Sequence, residues 1–226
     1  MERPFIFINS AMSADGKIST KERKQVKISG KIDFNRMDQL RAGSDAIMIG
    51  IGTVLADDPS LTVKSPELQD NRIKAGLDAN PVRIIVDSKA RTPCDSDIFR
   101  KGEGKRIIIV SESAPQEKVA ELQEKADIIV CGKDKVDLPE AMHELKKRGI
   151  ERLMIEGGAT LNWGMLSNGL VDEIYTFVGN LIIGGKSSPT FVDGEGFPEK
   201  ELLKLDLMDA EKIEDGILLK WKILEK

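Results

Sequence analysis

The chain of 226 residues predicts an α/β fold, and three observations carry that prediction. Short apolar, β-branched runs recur along it, segments of helical spacing separate them, and those segments carry start and stop residues at their ends. The runs fall at 5–9, 46–49, 82–86, 106–110, 128–131, 153–155, 174–178 and 217–223. Most are apolar at successive positions and do not alternate, as strands of a parallel sheet covered by helices on both faces must be.

The first run leads into Ser13-Ala-Asp-Gly-Lys-Ile, a turn that sets Asp15 and Lys17 around a flexible glycine. Ser29 can cap the next helix, in which Phe34, Met37 and Leu40 share a face before the stop at Gly43. After run 46–49 comes Gly50-Ile-Gly-Thr-Val-Leu-Ala-Asp-Asp-Pro. Leu55 stands where a Rossmann fingerprint needs its third glycine, so the sequence asks for another nucleotide-binding fold. Thr53 reads either as a hydroxyl donor to a ligand or as a helix cap. Asp57, one turn on, can accept from a ribose or amide, and Asp58-Pro59 reads as a helix stop.

Residues 64–80 read as an exposed polar excursion, and Gly102-Glu-Gly-Lys105, lacking P-loop spacing, as a loop. Pro115 suits a first helical turn with Val119 and Leu122 facing the sheet. Pro139 opens a helix with Met142 and Leu145 inward, and Lys146, Lys147 and Arg148 complement its negative end before Gly149. His143 adjoins that apolar face and takes a packing or surface role.

The most informative stretch is 152–173. An apolar run ends in Glu156, two glycines follow, and a helical segment closes at Gly169. Gly157 and Gly158 let the backbone approach a ligand without Cβ obstruction, and the helix start favours a pyrophosphate. The same pair also reads as an ordinary βα turn. Beyond Val171 the pattern changes. Runs 174–178 and 217–223 lack a convincing helix between them and read as antiparallel edge strands. In the second, Ile217, Leu219, Trp221 and Ile223 share one face. Segment 184–198, rich in Gly, Ser and Pro, reads as a loop. No repeat or linker divides the chain, so a single domain over 1–226 is expected.

Composition narrows the function classes. The 34 basic and 38 acidic side chains give a net charge of −4, which argues against broad nucleic-acid binding. No apolar stretch approaches the ~20 residues of a membrane helix, and no signal-peptide pattern opens the chain, so a soluble cytoplasmic protein is expected. One histidine and two distant cysteines, Cys94 and Cys131, provide no metal-ligand spacing, and no metal is expected.

Taken together, Ser13–Ile18, Gly50–Leu61, Val86-Asp87-Ser88, Glu156–Trp163 with Leu170-Val-Asp-Glu173, and Leu181-Ile-Ile-Gly-Gly185 resemble the reductase of riboflavin biosynthesis. The motifs stand in family order and span residue 5 to about 195. A zinc deaminase, to which bacterial members are fused, needs a His-x-Glu and a Pro-Cys-x-x-Cys set, and these residues cannot supply one. The chain is therefore most similar to the monofunctional archaeal and fungal reductases.

That resemblance implies a dihydrofolate-reductase-like fold with a mostly parallel central sheet, flanking helices and antiparallel C-terminal strands. It implies reduction of 2,5-diamino-6-ribosylamino-4(3H)-pyrimidinone 5′-phosphate to the ribitylamino compound by NADPH, with NADH as the alternative, in a homodimer. Other readings are a reductase of the deaminated intermediate, a dihydrofolate-reductase-like enzyme for another pterin or pyrimidine, and a non-enzymatic nucleotide binder. By position in the family motifs, Thr53, Asp57, Ile85, Val86, Ser88, Val130, Gly157, Gly158, Ala159, Thr160 and Leu161 hold the nicotinamide dinucleotide. Lys17, Arg41, Leu61, Lys64 and Glu156 meet the substrate. Lys64 stands where bacterial members often carry arginine, which keeps charge but loses the bidentate fork. Lys27 stands near a position where they tend to carry tryptophan. Glu156 and Asp15 are the catalytic candidates, with Asp33 a third carboxylate that reads equally well as a capping residue.

Overall fold

The computed structural model describes residues 2–24 and 26–224. In chain order the elements are β1 (Phe5–Ser13), α1 (Lys31–Ala42), β2 (Ala46–Gly50), α2 (Ile51–Asp57), α3 (Pro66–Lys74), β3 (Val82–Val86), α4 (Asp97–Arg100), β4 (Arg106–Val110), α5 (Gln116–Gln123), β5 (Asp127–Val130), α6 (Leu138–Lys147), β6 (Arg152–Ile155), α7 (Ala159–Ser167), β7 (Glu173–Gly179), β8 (Leu205–Ile213) and β9 (Gly216–Ile223). They divide into two compact units. The first takes the chain up to Phe5 and Asp38–Met154, and the second takes Ile6–Met37 and the chain from Ile155 onward.

In the first unit the strand order is β5-β4-β3-β2-β6. Strands β2 to β5 pair in parallel, with Ile49 beside Ile85 and Ile85 beside Ile108. Both faces of β2, β3 and β4 are largely apolar and buried, whereas β5, at the edge, is partly exposed. Ile47, Ile49, Ile85, Ile108 and Val110 pack with Leu61, Ile98, Val119 and Leu122 in one cluster, while Met48, Ile84, Ile107 and Ile109, the alternate residues of the same strands, are also buried. Alternation between faces thus explains why the runs are continuously apolar.

In the second unit the order is β1-β7-β9-β8. β1 and β7 are parallel, whereas β7–β9 and β8–β9 are antiparallel. Phe7 and Tyr175 meet with ring centroids 5.2 Å apart, and Phe177, Leu218 and Ile213 form a small core with Ala11 and Ile28 against it.

Several local expectations are corrected. Residues 64–80 contain a helix, α3, whose first turn is set by the Ser65 cap and Pro66 behind it. The excursion was polar because most of α3 is exposed, not because it lacks structure. Helix α1 begins one residue after Gly30, whose carbonyl takes the first helical bond from Phe34, so Ser29 is not its cap. Phe34 is 44% exposed. Thr53 lies inside α2, whose N-cap is Gly50, so its capping alternative falls. Asp58 does end α2, in a left-handed conformation. Pro115 is the N-cap of α5, one position before its first turn. Run 217–223 is not an edge strand. β8, which carries Asp, Glu and Lys among its apolar residues and so hid its period, lies outside it. No helix among the described residues is long and apolar enough to cross a membrane.

Candidate functional site

The first unit gathers one group of candidate residues where the chain leaves α1 and α2. Arg41, in the last turn of α1, is buried and donates to the Thr62 carbonyl at 3.0 Å. The Thr62 hydroxyl accepts from Lys64 Nζ at 2.7 Å, and Ser60 Oγ accepts from the same ammonium at 2.9 Å. Arg41 and Lys64 therefore flank a single residue. Desolvation, then the like charges of Arg41 and Lys101, hold the Lys64 ammonium below the usual lysine range. An anion bound there would relieve that repulsion. The turn is fixed from behind by Asp38, a buried carboxylate that accepts from the backbone N–H of Lys64 at 2.7 Å and of Ser65 at 2.8 Å. Leu61 sits between with φ +52 and is itself buried.

Thr53 and Asp57 are one turn apart on α2, the first half-buried and the second exposed at the helix end. Partial desolvation pushes the Asp57 carboxyl upward. Ile85 is buried within β3, whereas Val86 and Ser88 at its carboxyl end are half-buried, and Val130 ends β5 with its side chain 53% exposed. Carboxyl ends of parallel strands are where open α/β sheets bind ligands. Around Ser88 the structure adds groups that the sequence did not single out. Ser111 Oγ donates to the Ser88 carbonyl at 2.7 Å and lies 2.9 Å from Ser113 Oγ, which accepts from Lys89 Nζ at 2.6 Å. No carboxylate pairs with Lys89 among the described residues.

In the second unit, Glu156 follows β6 and Gly157 follows it with φ +99. A Cβ placed on Gly157 would meet nothing within 4 Å, so the backbone there faces open space. Gly158 is the N-cap of α7, which places the first-turn N–H groups of Ala159, Thr160 and Leu161 at a helix start, without acceptors inside the helix. The Leu161 side chain is buried, so any ligand contact it makes is through the backbone.

The turn after β1 is tied to a later loop. Asp15 accepts from Ser13 Oγ at 2.6 Å and from the backbone N–H groups of Ile183 at 3.0 Å and Gly184 at 2.7 Å. Those donors, Ser13 foremost, lower its carboxyl from 3.8 to about 2. These bonds tie the β1 turn to the loop at 183–184 and favour the ionised form of Asp15. Lys17 Nζ donates to the Ser188 carbonyl at 3.0 Å. Asp33, the third carboxylate, is buried and bound by Arg36, whose Nε lies 2.8 Å from Asp33 Oδ1 and whose second nitrogen reaches Asn9 Oδ1 at 2.8 Å. Burial pushes the Cys131 thiol up to about 11, far from a reactive thiolate.

Sequence reasoning missed Asp38, Ser60, Thr62, Lys89, Ser111 and Ser113. Asp38 acts on residues 26 and 27 positions away, and no local spacing signals such a contact. Ser111 gave a faint signal, a polar residue directly after an apolar strand.

Residues 4–219 match the family model described as RibD C-terminal domain. A protein of Archaeoglobus fulgidus named 2,5-diamino-6-ribosylamino-4(3H)-pyrimidinone 5′-phosphate reductase is 47% identical over 214 residues, covering 95% of either chain. Among solved structures, a pyrimidine reductase-like protein of Corynebacterium diphtheriae superposes with TM-score 0.84 at 20% identity, over 99% of this chain and 93% of that one. A dihydrofolate reductase of Enterococcus faecalis superposes with TM-score 0.53 at 10% identity, over 98% and 97%. The two structural likenesses establish the fold as dihydrofolate-reductase-like.

The Asp15 anchor has a measurable signature. Its folded pKa lies below its unfolded value of 3.8, so the stability it contributes is present above that value and is lost as pH falls through about 2. Carbon-detected NMR titration should show the Asp15 carboxyl with a midpoint near 2. A midpoint at or above the ordinary value would remove the anchor.

Proposed function

We propose that this chain, which belongs to the RibD C-terminal domain family, reduces 2,5-diamino-6-ribosylamino-4(3H)-pyrimidinone 5′-phosphate to its ribitylamino product with NADPH in riboflavin biosynthesis. The relative that is 47% identical bears the name of that activity. The observation that carries the reading in this chain is the Arg41–Thr62–Lys64 arrangement. The Lys64 ammonium donates to the Ser60 and Thr62 hydroxyls and is crowded by the like charge of Arg41, which supports assigning this cluster to a phosphate. Dihydrofolate carries no ribose phosphate for such a cluster to meet.

The remaining roles follow from the chemistry of each group. Reduced nicotinamide, when bound, supplies a hydride to the ring-opened imine at ribose C1′. The open backbone at Gly157 and the first-turn N–H groups of α7 suit a pyrophosphate. Thr53, Asp57, Val86, Ser88 and Val130 are assigned to the rest of the nucleotide, and Ile85 through its backbone. Lys89 with Ser111 and Ser113 offers an ammonium and hydroxyls to a 2′-phosphate, which favours NADPH over NADH. Lys17 and Leu61 are assigned to the substrate. Glu156 is the carboxyl assigned to orient the substrate, and Glu156 and Asp15 are the two candidates for assisting ring opening or proton movement.

The chain is proposed to act as a homodimer through β8. That strand is exposed along nearly its whole length, with Leu205 39%, Leu207 48% and Met208 42% exposed, and Ile217 of β9 is 39% exposed. An unpaired edge bearing this much apolar surface is one that proteins cover.

Loss of nicotinamide absorbance should be followed with the diaminopyrimidinone phosphate, its deaminated counterpart and dihydrofolate, each with NADPH and NADH. Turnover is expected to be fastest with the first substrate and NADPH. Faster turnover of the deaminated compound or of dihydrofolate would replace the proposed substrate. Sedimentation velocity should find the wild type at twice the monomer mass and a Leu207→Lys, Met208→Lys double variant at the monomer mass. A monomeric wild type would refute the dimer.

A further inference from the structure

Arg83 projects from β3 into the first unit and is wholly buried, yet among the described residues no carboxylate lies within ion-pair distance of it. Its partners are backbone carbonyls. One terminal nitrogen donates to Ile98 at 3.1 Å, Lys101 at 2.6 Å and, more loosely, Ser60 at 3.3 Å. The other donates to Gly102 at 2.9 Å and Glu103 at 3.1 Å, and Nε has no partner. Desolvation, and then the neighbouring charge of Arg106, push the guanidinium down to about 10, so it stays protonated near neutral pH. A buried cation satisfied only by neutral groups is costly, which calls for a function that repays it.

The carbonyls it collects belong to two segments, 98–103 and the loop that begins at Ser60. Ser60 is the link. Its carbonyl faces Arg83, while its hydroxyl accepts from Lys64 Nζ at 2.9 Å. A second tie runs parallel, because Asn80 accepts from Val63 N–H at 2.9 Å and donates to the Glu103 carbonyl at 3.0 Å. The two segments also touch. A Cβ on Gly102, which has φ +66, would come within 2.6 Å of Thr62 Cγ2. Residues that meet Arg41 and Lys64 are thus seated against a segment that Arg83 holds in place.

We propose that Arg83 is the positioning residue of the phosphate subsite, fixing Ser60 and Thr62 so that Lys64 and Arg41 present their charges together to the substrate dianion. This rests on the phosphate reading given above. Arg83 itself is sealed from solvent and touches no ligand. Its charge, lacking a carboxylate, adds to the positive potential that the dianion meets.

Two variants probe the device from opposite sides. Arg83→Lys keeps the charge but cannot span five carbonyls, and Gly102→Ala, at an exposed position with φ +66, pushes on Thr62, with thermal unfolding used to confirm that each variant is folded. Steady-state kinetics should compare the phosphorylated substrate with its dephosphorylated counterpart, alongside NADPH affinity by fluorescence. Both variants should raise KM for the phosphorylated substrate about ten-fold, the equivalent of ~1.4 kcal/mol of lost charge-assisted contact. The kcat, the KM for the dephosphorylated substrate and the NADPH affinity should stay within about two-fold of wild type, a split that general structural damage does not produce. Equal losses on both substrates, or folded variants with undiminished preference for the phosphate, would overturn the proposal. Lys64→Met separates the two levels. If it discriminates as wild type does, the phosphate reading itself fails; if it loses discrimination while Arg83→Lys and Gly102→Ala keep it, only the role of Arg83 fails.

Discussion

Parallel pairing of strands buried on both faces is the constraint on which the first unit depends. Strands β2, β3, β4 and β5 run the same way, so their carboxyl ends and the turns that follow them emerge on one side. Gly50 and α2, Val86 with Ser88, Ser111 with Ser113, and Val130 are all products of that single geometric fact. Each strand gives its interior residues to the core and its last residues to the carboxyl edge, where open α/β sheets bind ligands. The second unit repeats the arrangement once, with β1 parallel to β7, before its C-terminal strands turn antiparallel.

Charge is handled in two ways around these turns. Asp38 and Asp15 spend their carboxylates on backbone N–H groups and so fix loops, the first behind Lys64 and the second across to Ile183 and Gly184. Arg41, Arg83 and Lys64 are instead met by carbonyls and hydroxyls in the bonds that define their turn. The carboxylates of Asp15 and Asp38 thus serve architecture, while the Lys64 ammonium, bonded to two neutral hydroxyls, would suit the anionic substrate proposed above.

The strands were legible in the sequence because continuous apolar runs leave little choice of environment. The β8 strand was not, since its solvent-facing Asp206, Asp209, Glu211 and Lys212 interrupt the apolar period and a bulge between Leu207 and Asp209 shifts it. Helix α3 was hidden for the reverse reason, as a polar helix with little to bury shows no stripe. Family motifs named Arg41, Lys64, Thr53 and the glycine turn one by one. What binds the first two together is Thr62, whose carbonyl accepts from Arg41 and whose hydroxyl accepts from Lys64; this link and the supports from Asp38 and Arg83 join segments 20 or more positions apart and could be seen only once folded. The family position of Asp15 suggests chemistry, and its ties to Ser13, Ile183 and Gly184, the last 169 positions away, were likewise visible only once folded.

The central claim is that the chain passes a hydride from nicotinamide to the sugar carbon of a phosphorylated ribosylaminopyrimidine. Isotope transfer tests it most directly. With NADPH deuterated at the reactive face of C4, mass spectrometry and NMR of the product should find a single deuterium, at the carbon that was ribose C1′. Deuterium in the pyrimidine ring, or a product without it, would contradict the account.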